Sequence, residues 1–295
     1  MSETIVLGFS ESLKQAEALA AELGVASGEI TLHRFPDGEH RLQVPAPLPE
    51  HVVVFLSLDH PNEKLIELLL AAGAARDNGT ARLVLVAPYL CYMRQDVAFH
   101  AGEAVSQQII GKLLADNFDA VITVDPHLHR IECLQQAIPL QHAMSLTAAT
   151  PMAEFLSQRF ERPLLIGPDD ESRQWVETIA SNHGLDFTVG TKERFGDRNV
   201  RIHLTQDMPV AGRDVVIVDD IASTGRTIIA VAESVLAGNP SSVSVLVTHA
   251  LFAGDAEARI RQLAIDNIWS TDSIQHPTNV IPLAHLLADG VRSAL

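Results

Sequence analysis

The sequence predicts an α/β protein with two domains, each built on a mainly parallel sheet flanked by helices. Three observations support this class. The chain has 295 residues, which is enough for about two domains. Short apolar runs alternate with amphipathic stretches along the whole sequence. Runs such as VVVFL and VVIV are apolar at every position, as expected for strands that are covered on both faces of a parallel sheet.

Apolar runs of four to seven residues mark the predicted strands, and the amphipathic stretches between them mark the predicted helices. The strands are expected at Thr4–Phe9, Val52–Leu56, Leu83–Ala87, Ala120–Val124, Leu164–Gly167, Phe187–Gly190, Asp214–Val218, Ser242–Thr248 and Ile268–Thr271. The helices are expected at Ser12–Leu23, Asn62–Asn78, Ala104–Asn117, Met152–Phe160, Glu171–His183, Arg226–Ala237 and Ala256–Leu263. Short strands that alternate with helices indicate repeated βαβ units.

The stretch that follows Ala137 contains Pro139 and Pro151 and is interpreted as a connector between the two halves. The expected organisation is an N-terminal domain over 1–145, a C-terminal domain over 146–281 and a C-terminal segment over 282–295.

The charge of the chain bears on the ligands that it binds. There are 21 Lys and Arg residues against 37 Asp and Glu residues, a formal net charge of −16. Such an acidic chain lacks the basic surface that binds nucleic-acid phosphates, so no nucleic-acid partner is expected. Small anionic ligands are not excluded, provided that a local cluster of cations or a divalent metal supplies positive charge.

Neither a membrane segment nor a disulfide framework is expected. The longest apolar run, Leu83–Met93, has 11 residues and falls short of the roughly 18 residues of a membrane helix. The N-terminus lacks the basic and apolar blocks of a secretory signal. Cys91 and Cys133 have no nearby cysteine and are interpreted as small hydrophobic residues in or near the core. Together these features favour the cytoplasm.

Residues 215–228, VVIVDDIASTGRTI, carry the clearest chemistry in the sequence. An apolar strand leads into two acids, then into small residues, then into a helix. Ligands bind at the carboxyl end of such strands in open α/β sheets. Backbone N–H groups of the slim loop and of the next helix are able to cradle a phosphate, and the acids are able to bind sugar hydroxyls. The whole string favours ribose-phosphate binding over a simple strand–helix turn. It resembles the phosphoribosyl-diphosphate binding loop of the phosphoribosyltransferase fold.

Two further polar segments follow predicted strands in the first half. In PYLCYMRQD, Arg94 offers a phosphate-binding or stacking group and Gln95 an amide for a base edge, and Asp96 is interpreted as the residue that orients Arg94. In VDPHLH, Asp125 and His127 lie two positions apart in a loop, so His127 is a candidate metal ligand.

The remaining motifs are less specific. In GPDD, Asp169 suits coordination of a hard metal or, alternatively, the N-cap of the next helix. In TKERFGDR, Lys192 and Arg194 lie on a polar stretch after a strand, interpreted as a loop that closes over a polyphosphate. RFPDGE reads on its own as a tight hairpin turn.

In this order the motifs RFPDGE, PYxxYxRQD, VDPHxH, GPDD, KxR and VVIVDDIASTG resemble the ribose-phosphate diphosphokinase family, the phosphoribosyl-diphosphate (PRPP) synthetases. The resemblance spans nearly the whole chain. It implies two phosphoribosyltransferase-like domains with the active site in the cleft between them. It also implies Mg²⁺ as the cofactor, ATP and ribose 5-phosphate as substrates, and a homodimer or higher oligomer.

The resemblance also implies roles for individual residues. The ATP-binding residues are Phe35, Asp37, Gly38 and Glu39, which reach the ATP of a neighbouring subunit, together with Arg94, Gln95 and Asp96. The ribose 5-phosphate site comprises Arg194, Asp219, Asp220, Ser223, Thr224, Gly225, Arg226 and Thr227. His127 and Asp169 match the metal-binding positions, and Lys192 and Arg194 match the catalytic cations.

Some positions depart from the family pattern. Val97 stands where a basic residue usually follows RQD, which removes a positive charge near ATP. Ser223, Arg226 and Pro126 also differ, but the loop keeps its small residues and its expected phosphate binding. Three alternatives remain open. A PRPP-consuming phosphoribosyltransferase leaves RFPDGE, PYxxYxRQD and KxR without roles. The others are a weakly catalytic or non-catalytic homologue that regulates a true synthetase, and a generic nucleotide-binding module with no chemistry.

Overall fold

A computed structural model describes residues 4–128, 130–195, 199–204 and 209–295, without the side chains of Asn182, 191–195 and 199–204. The chain divides into two compact units. Unit 1 comprises Met1–Thr147 with Leu283–Leu295, and unit 2 comprises Ala148–Pro282. None of the helices in the described ranges combines the length and hydrophobicity needed to cross a bilayer.

Unit 1 contains a seven-stranded sheet in the order β3-β2-β1-β4-β5-β6-β7. Its elements are β1 (Thr4–Phe9), α1 (Leu13–Leu23), β2 (Ala26–Arg34), β3 (His40–Gln43), β4 (His51–Phe55), α2 (Pro61–Asp77), β5 (Arg82–Val86), α3 (Ser106–Asn117), β6 (Ala120–Val124) and β7 (His142–Leu146). Only the β2–β3 pair is antiparallel. The central strands are buried on both faces, which explains their continuous apolar character.

Unit 2 repeats this topology with the strand order β10-β9-β8-β11-β12-β13-β14. Its elements are α4 (Ala149–Ser157), β8 (Leu164–Gly167), α5 (Arg173–His183), β9 (Asp186–Phe195), β10 (Asn199–Leu204), β11 (Asp214–Ala222), α6 (Arg226–Leu236), β12 (Ser242–Ala250), α7 (Ala256–Arg261), β13 (Asn267–Thr271) and β14 (Asn279–Ile281). Again one edge pair, β9–β10, is antiparallel and the other pairs are parallel. The aliphatic faces of α6 and β11 pack in one core.

The last helix, α8 (Ala284–Ala294), packs against α1 and against β5, β6 and β7 of unit 1. The guanidinium Nε of Arg82 donates a 2.6 Å hydrogen bond to the carbonyl oxygen of Ala294. Gly290 permits this close packing, since a Cβ there would lie 3.0 Å from Leu146 Cδ1.

The predicted elements are present, but the sequence pattern missed five strands and one helix. Strands β2, β3 and β10 lie in or beside edge hairpins, and β14 and β7 are short and half-exposed, so none shows a long apolar run. The connector expected after Ala137 is wrong for His142–Leu146, which pairs with β6 as β7. The loop expected around Lys192 and Arg194 is also wrong, because β9 continues to Phe195 and pairs with β10.

Candidate active site

The strand order of unit 2 reverses between β8 and β11, and the predicted ribose-phosphate residues lie at this point. β8 continues into Asp169, and β11 carries Asp219 and Asp220 before it ends at Ala222. β8 and β11 are parallel neighbours, so their carboxyl ends share one edge of the sheet. A crevice at such a switch point is where open α/β sheets bind ligands.

Asp219 is in an unfavourable electrostatic position. Burial, followed by the neighbouring carboxylates Asp220 and Asp169, raises the pKa of Asp219 well above its ordinary value. Asp220 is 5% exposed, and its backbone N–H donates a 3.1 Å hydrogen bond to Asp219 Oδ1. Three carboxylates are therefore gathered at one edge of the sheet, where their negative charges repel one another. Hydroxyl groups of a sugar or a divalent cation would relieve this repulsion.

The loop that follows β11, the predicted phosphate cradle, leads through Gly225 directly into α6. Gly225 has φ 67° and precedes the first residue of α6, Arg226. This left-handed conformation favours glycine, and a Cβ at Gly225 would also lie 3.2 Å from Ile260 Cδ1. α6 has 11 residues, so its N-terminus presents N–H groups and a positive dipole end to the loop. Ser223 and Thr227 are half-exposed, whereas Thr224 and Arg226 are exposed.

A second loop supports this cradle from behind. The N–H of Phe252 donates a 2.7 Å hydrogen bond to the carbonyl of Ala222, and the N–H of Ala253 donates a 2.9 Å bond to the carbonyl of Ser223. Phe252 is itself buried and stacks at 4.9 Å on the ring of His276. The carbonyls of Ala222 and Ser223 are therefore both engaged by backbone N–H groups of the second loop.

Asp169 fulfils the capping alternative proposed from the sequence. Its Oδ1 accepts hydrogen bonds from the N–H groups of Glu171 and Ser172, at 3.1 and 3.3 Å, while the Asp169 N–H donates to Ser172 Oγ at 3.3 Å. This reciprocal capping box fixes the carboxylate beside Asp219. Capping engages Oδ1 and does not conflict with a role in metal binding.

In unit 1, hydrogen bonds from neighbouring elements flank the predicted nucleotide residues Arg94 and Gln95. Tyr92 adopts φ 60°, an unusual conformation for an aromatic residue, and its hydroxyl bonds to Asn62. Gln107, which is 3% exposed, donates from Nε2 to the Met93 carbonyl at 3.3 Å and from its N–H to the Gln95 carbonyl at 3.2 Å. The backbone on both sides of Arg94 is thereby tied to helix α3, and the Arg94 side chain is exposed.

The expectation that Asp96 orients Arg94 is wrong. The Asp96 carboxylate is only 4% exposed and accepts a 2.6 Å hydrogen bond from Nη1 of Arg130. Arg130 lies in the loop after β6, the strand adjacent to β5. The carboxylate is therefore satisfied by a cation from another loop.

The RFPDGE segment forms the turn of the β2–β3 hairpin. Phe35 N–H donates to the Glu39 carbonyl at 2.8 Å, Gly38 has φ 93°, and Asp37 Oδ1 accepts from the Glu39 N–H. Residues 31–39 are all exposed, and Phe35 is 39% exposed. Two strands separate β2 from β5, so the hairpin lies about 14 Å from the Arg94 segment along the sheet. Sheet order keeps these two groups of predicted ATP residues apart within one chain.

His127 lies in the loop after β6 and is half-buried, near Asp125, which has φ 37°. The described residues contain no group of three or more His, Cys, Asp or Glu side chains placed to hold a metal. The side chains of Lys192 and Arg194 lie outside the part of the chain that the structure describes. Their backbone pairs with Ile202 and Val200 in the β9–β10 hairpin.

The two cysteines differ. Cys91 is buried, and burial raises the pKa of its thiol to about 12, as expected for a residue that serves only in packing. Cys133 is exposed, so its interpretation as a core residue is wrong. Cys133 lies in an irregular loop after β6, and one apolar residue outside a periodic pattern does not predict burial.

The switch point of unit 1, between β1 and β4, is filled by a lysine. Lys64 Nζ lies 2.8 Å from Glu11 Oε1 and 2.7 Å from Asp59 Oδ1, and it donates to the Ser57 carbonyl at 2.8 Å. Its side chain is 11% exposed. The acids at this position are thus neutralised internally, whereas the neighbours of Asp219 in unit 2 raise its pKa.

Three residues that shape these sites were missed by sequence reasoning, namely Lys64, Gln107 and Arg130. Each acts through a contact that is distant in sequence or that depends on burial, and no motif marks such a contact.

The repeated sheet, the edge hairpins and the small-residue cradle at the second switch point define a protein of the phosphoribosyltransferase fold class. Residues 4–117 match the N-terminal domain of ribose phosphate pyrophosphokinase, and residues 140–286 match the phosphoribosyl transferase domain. The chain is 33% identical to the ribose-phosphate pyrophosphokinase of Methanopyrus kandleri over 98% of this chain and 99% of the relative. It is 31% identical to that of Halobacterium salinarum over 97% and 100%.

The fold is also that of the phosphoribosylpyrophosphate synthetase from Mycobacterium smegmatis, with a TM-score of 0.84 and 20% identity over 99% of this chain and 98% of that chain. The chain belongs to the ribose-phosphate pyrophosphokinase family. Members of this family use ATP and generally need a divalent metal.

Proposed function

We propose that the chain is a ribose-phosphate diphosphokinase that supplies nucleotide biosynthesis. It transfers the diphosphoryl group of MgATP to the C1 hydroxyl of D-ribose 5-phosphate. The C1 oxygen attacks the β-phosphorus, the bond from that phosphorus to the α–β bridging oxygen breaks, and the products are 5-phosphoribosyl 1-diphosphate, AMP and one proton. The observation that carries the proposal is the Asp219–Asp220 pair beside the Gly225 cradle, in a chain whose first half also matches the pyrophosphokinase N-terminal domain.

The ribose 5-phosphate binds to unit 2 in this proposal. The N–H groups at the start of α6, with the hydroxyls of Ser223, Thr224 and Thr227, bind the 5-phosphate. The exposed guanidinium of Arg226 adds charge beside the same phosphate. Asp219 and Asp220 accept hydrogen bonds from the ribose hydroxyls and so orient the C1 oxygen. At the equivalent edge of unit 1 Lys64 pairs with Glu11 and Asp59, which supports the placement of this ligand in unit 2.

ATP binds to unit 1, where Arg94 and Gln95 contact the nucleotide. Phe35, Asp37, Gly38 and Glu39 complete the ATP site of a second copy of the chain. The exposed hairpin and its distance from Arg94 within one sheet support this arrangement. The active protein is accordingly a homodimer or a higher oligomer. A fully active monomer in sedimentation under assay conditions would contradict it.

Mg²⁺ is the proposed metal, with Asp169 and His127 as its protein contacts. The fit rests on the donor chemistry: carboxylate oxygens suit Mg²⁺, and the repulsion at Asp219 favours a cation at this edge. Mg²⁺ usually keeps few protein ligands and binds through substrate phosphates and water, in keeping with the lack of a three-ligand cluster in the described ranges. When bound, it would neutralise charge on the polyphosphate.

Lys192 and Arg194 are the proposed catalytic residues, and Arg194 also contacts the ribose 5-phosphate. Cations that bind the equatorial oxygens more tightly as charge develops lower the barrier to diphosphoryl transfer. Their support is the KxR position at the end of β9, a strand that pairs with β8 on one side and with β10 on the other. The cytoplasm is the proposed location.

One assay tests the function and its alternatives. Purified protein is incubated with Mg²⁺, ATP and ribose 5-phosphate, and AMP is measured. AMP that depends on ribose 5-phosphate is expected. A transferase would instead release pyrophosphate from PRPP in the presence of a base, and a non-catalytic regulatory homologue would do neither alone.

A further inference from the structure

We propose that Arg130 binds the phosphate chain of the adenine nucleotide, held in place by Asp96 and Phe99. This inference rests on the proposed function, because it adds a residue to the same nucleotide site. Arg130 lies in the same loop after β6 as His127, the candidate metal ligand that the sequence motif indicated there.

The two loops involved follow neighbouring parallel strands. β5 pairs with β6, so the segment with Arg94–Asp96 and the loop with Arg130 leave the same edge of the unit 1 sheet. Arg130 Nη1 reaches Asp96 Oδ1 at 2.6 Å, although the two residues lie 34 positions apart. This contact between loops ties the cation to Asp96, the residue that directly follows Arg94 and Gln95 in the sequence.

Two independent contacts orient the guanidinium. The Asp96 carboxylate accepts a hydrogen bond from Nη1 of Arg130. The Asp96 side chain is 4% exposed, and the Arg130 side chain is 53% exposed. The guanidinium carbon lies 5.7 Å from the centre of the Phe99 ring, and Phe99 is 62% exposed. An arginine has five N–H donors in a fixed plane, and one contact to Asp96 does not use all of them. Because these two contacts already order the Arg130 side chain, less entropy is lost when a ligand binds to it.

Phosphate is the ligand that this arrangement suits best. A planar guanidinium binds phosphate oxygens in a bidentate manner, and the neighbours are proposed nucleotide contacts. Val97 leaves the segment itself without a cation after Asp96. If Arg130 served only to join the two loops through Asp96, the exposed Phe99 ring beside its guanidinium would have no role. Arg130 therefore brings guanidinium N–H donors beyond those used by Asp96 to this segment from the next loop.

Calorimetric titration of the full chain with ADP and Mg²⁺ tests this role without requiring turnover. Arg130→Gln is expected to weaken ADP binding by about tenfold or more, because the phosphate chain loses one charged hydrogen-bonding partner. Adenosine binding and the KM for ribose 5-phosphate are expected to stay within about twofold of wild type, because neither involves the phosphate chain of the nucleotide. Lys112→Gln is the matched control, since Lys112 is a 70% exposed cation in a surface pair on α3. It is expected to bind ADP like wild type.

Phe99→Leu is the second variant, because Arg130→Gln leaves the buried Asp96 carboxylate without its cation and could impair folding. Removing the ring keeps the ion pair but frees the guanidinium, and ADP binding is expected to weaken about threefold. ADP affinity within about twofold of wild type in the folded variants, or an equal loss of adenosine affinity, would overturn the proposal. If wild type binds ADP but forms no AMP, the proposed reaction fails while the titrations still decide the role of Arg130.

Discussion

The Nε2 group of Gln107 donates a 3.3 Å hydrogen bond to the carbonyl oxygen of Met93, the residue directly before Arg94. Because Gln107 is 3% exposed, no water replaces this contact easily when the side chain is removed. The backbone position of Arg94, an exposed residue proposed to bind the nucleotide, therefore depends on a buried amide in α3.

Gln107→Ala is expected to leave the Met93 carbonyl unsatisfied, which costs about 1–3 kcal/mol of stability. It should also raise the KM for ATP, with little change in the KM for ribose 5-phosphate, because Arg94 loses its fixed backbone. Steady-state kinetics with each substrate varied in turn provide the measurement. Gln108→Ala, at the exposed neighbouring position, is the control. Equal changes in both KM values would show a general loss of folding instead.

Gly225→Ala tests the phosphate cradle. Gly225 has φ 67°, and alanine in this conformation costs about 1–2 kcal/mol. Gly212→Ala is a matched control in the same unit, since Gly212 has φ 68° and a Cβ added there would meet no atom within 4 Å. Both variants should lose stability on denaturation, but only Gly225→Ala should raise the KM for ribose 5-phosphate, by about tenfold or more. A similar KM for both variants would argue against phosphate binding at this loop.

The raised pKa of Asp219 predicts a pH-dependent stability. Ionising a carboxyl whose pKa is higher in the folded state costs stability, so the cost is absent below the unfolded-state pKa of about 3.9. It grows as the pH rises toward the folded-state pKa. Asp219→Asn removes the cost and should be more stable than wild type at about pH 7 without metal, but similar near pH 4.

Thermal denaturation with a chelator between about pH 4 and pH 8 measures this difference. Asp255→Asn is the control, because Asp255 is exposed and makes no side-chain cap to its helix. A constant difference between Asp219→Asn and wild type over the whole range would show that Asp219 does not titrate abnormally.

Lys192→Ala is expected to lower kcat about 10²–10³-fold, the effect of removing one cation that binds developing charge. ATP and ribose 5-phosphate should still bind, as calorimetry would show, because the contact strengthens mainly in the transition state. Lys14→Ala, at an exposed position of α1, serves as the control. Turnover near the wild-type rate would remove the proposed role of the β9–β10 hairpin.

The sequence predicted the parts of the fold that depend on local pattern. Strands such as β1 and β6 are found where expected, since a buried parallel strand is mostly apolar along its length. β2 and β3 escaped prediction because an edge hairpin with exposed residues has no such run, although PDG marked its turn. The helix α8 was also missed, although its apolar residues Leu287, Val291 and Ala294 recur at helical spacing and form the face that packs against unit 1.

The same distinction holds for the site. Asp219, Asp220 and Gly225 were predicted because they lie in one continuous strand–loop–helix segment. Their residue types and their position after an apolar strand are both visible in the sequence. Contacts between loops were not predicted: Arg130 with Asp96, and Phe252 with Ala222, join residues about 30 positions apart. The assignment of ATP to unit 1 and of ribose 5-phosphate to unit 2 remains a prediction.

The most direct test of the central claim follows the fate of the β-phosphorus of ATP. Purified protein with Mg²⁺ and ribose 5-phosphate is given ATP labelled at the β-phosphate, and the labelled products are separated. Transfer of the intact diphosphoryl group predicts label in the sugar product, with one AMP formed per labelled sugar. Label that stays in ADP, or that appears as free pyrophosphate without labelled sugar, would contradict the proposed reaction.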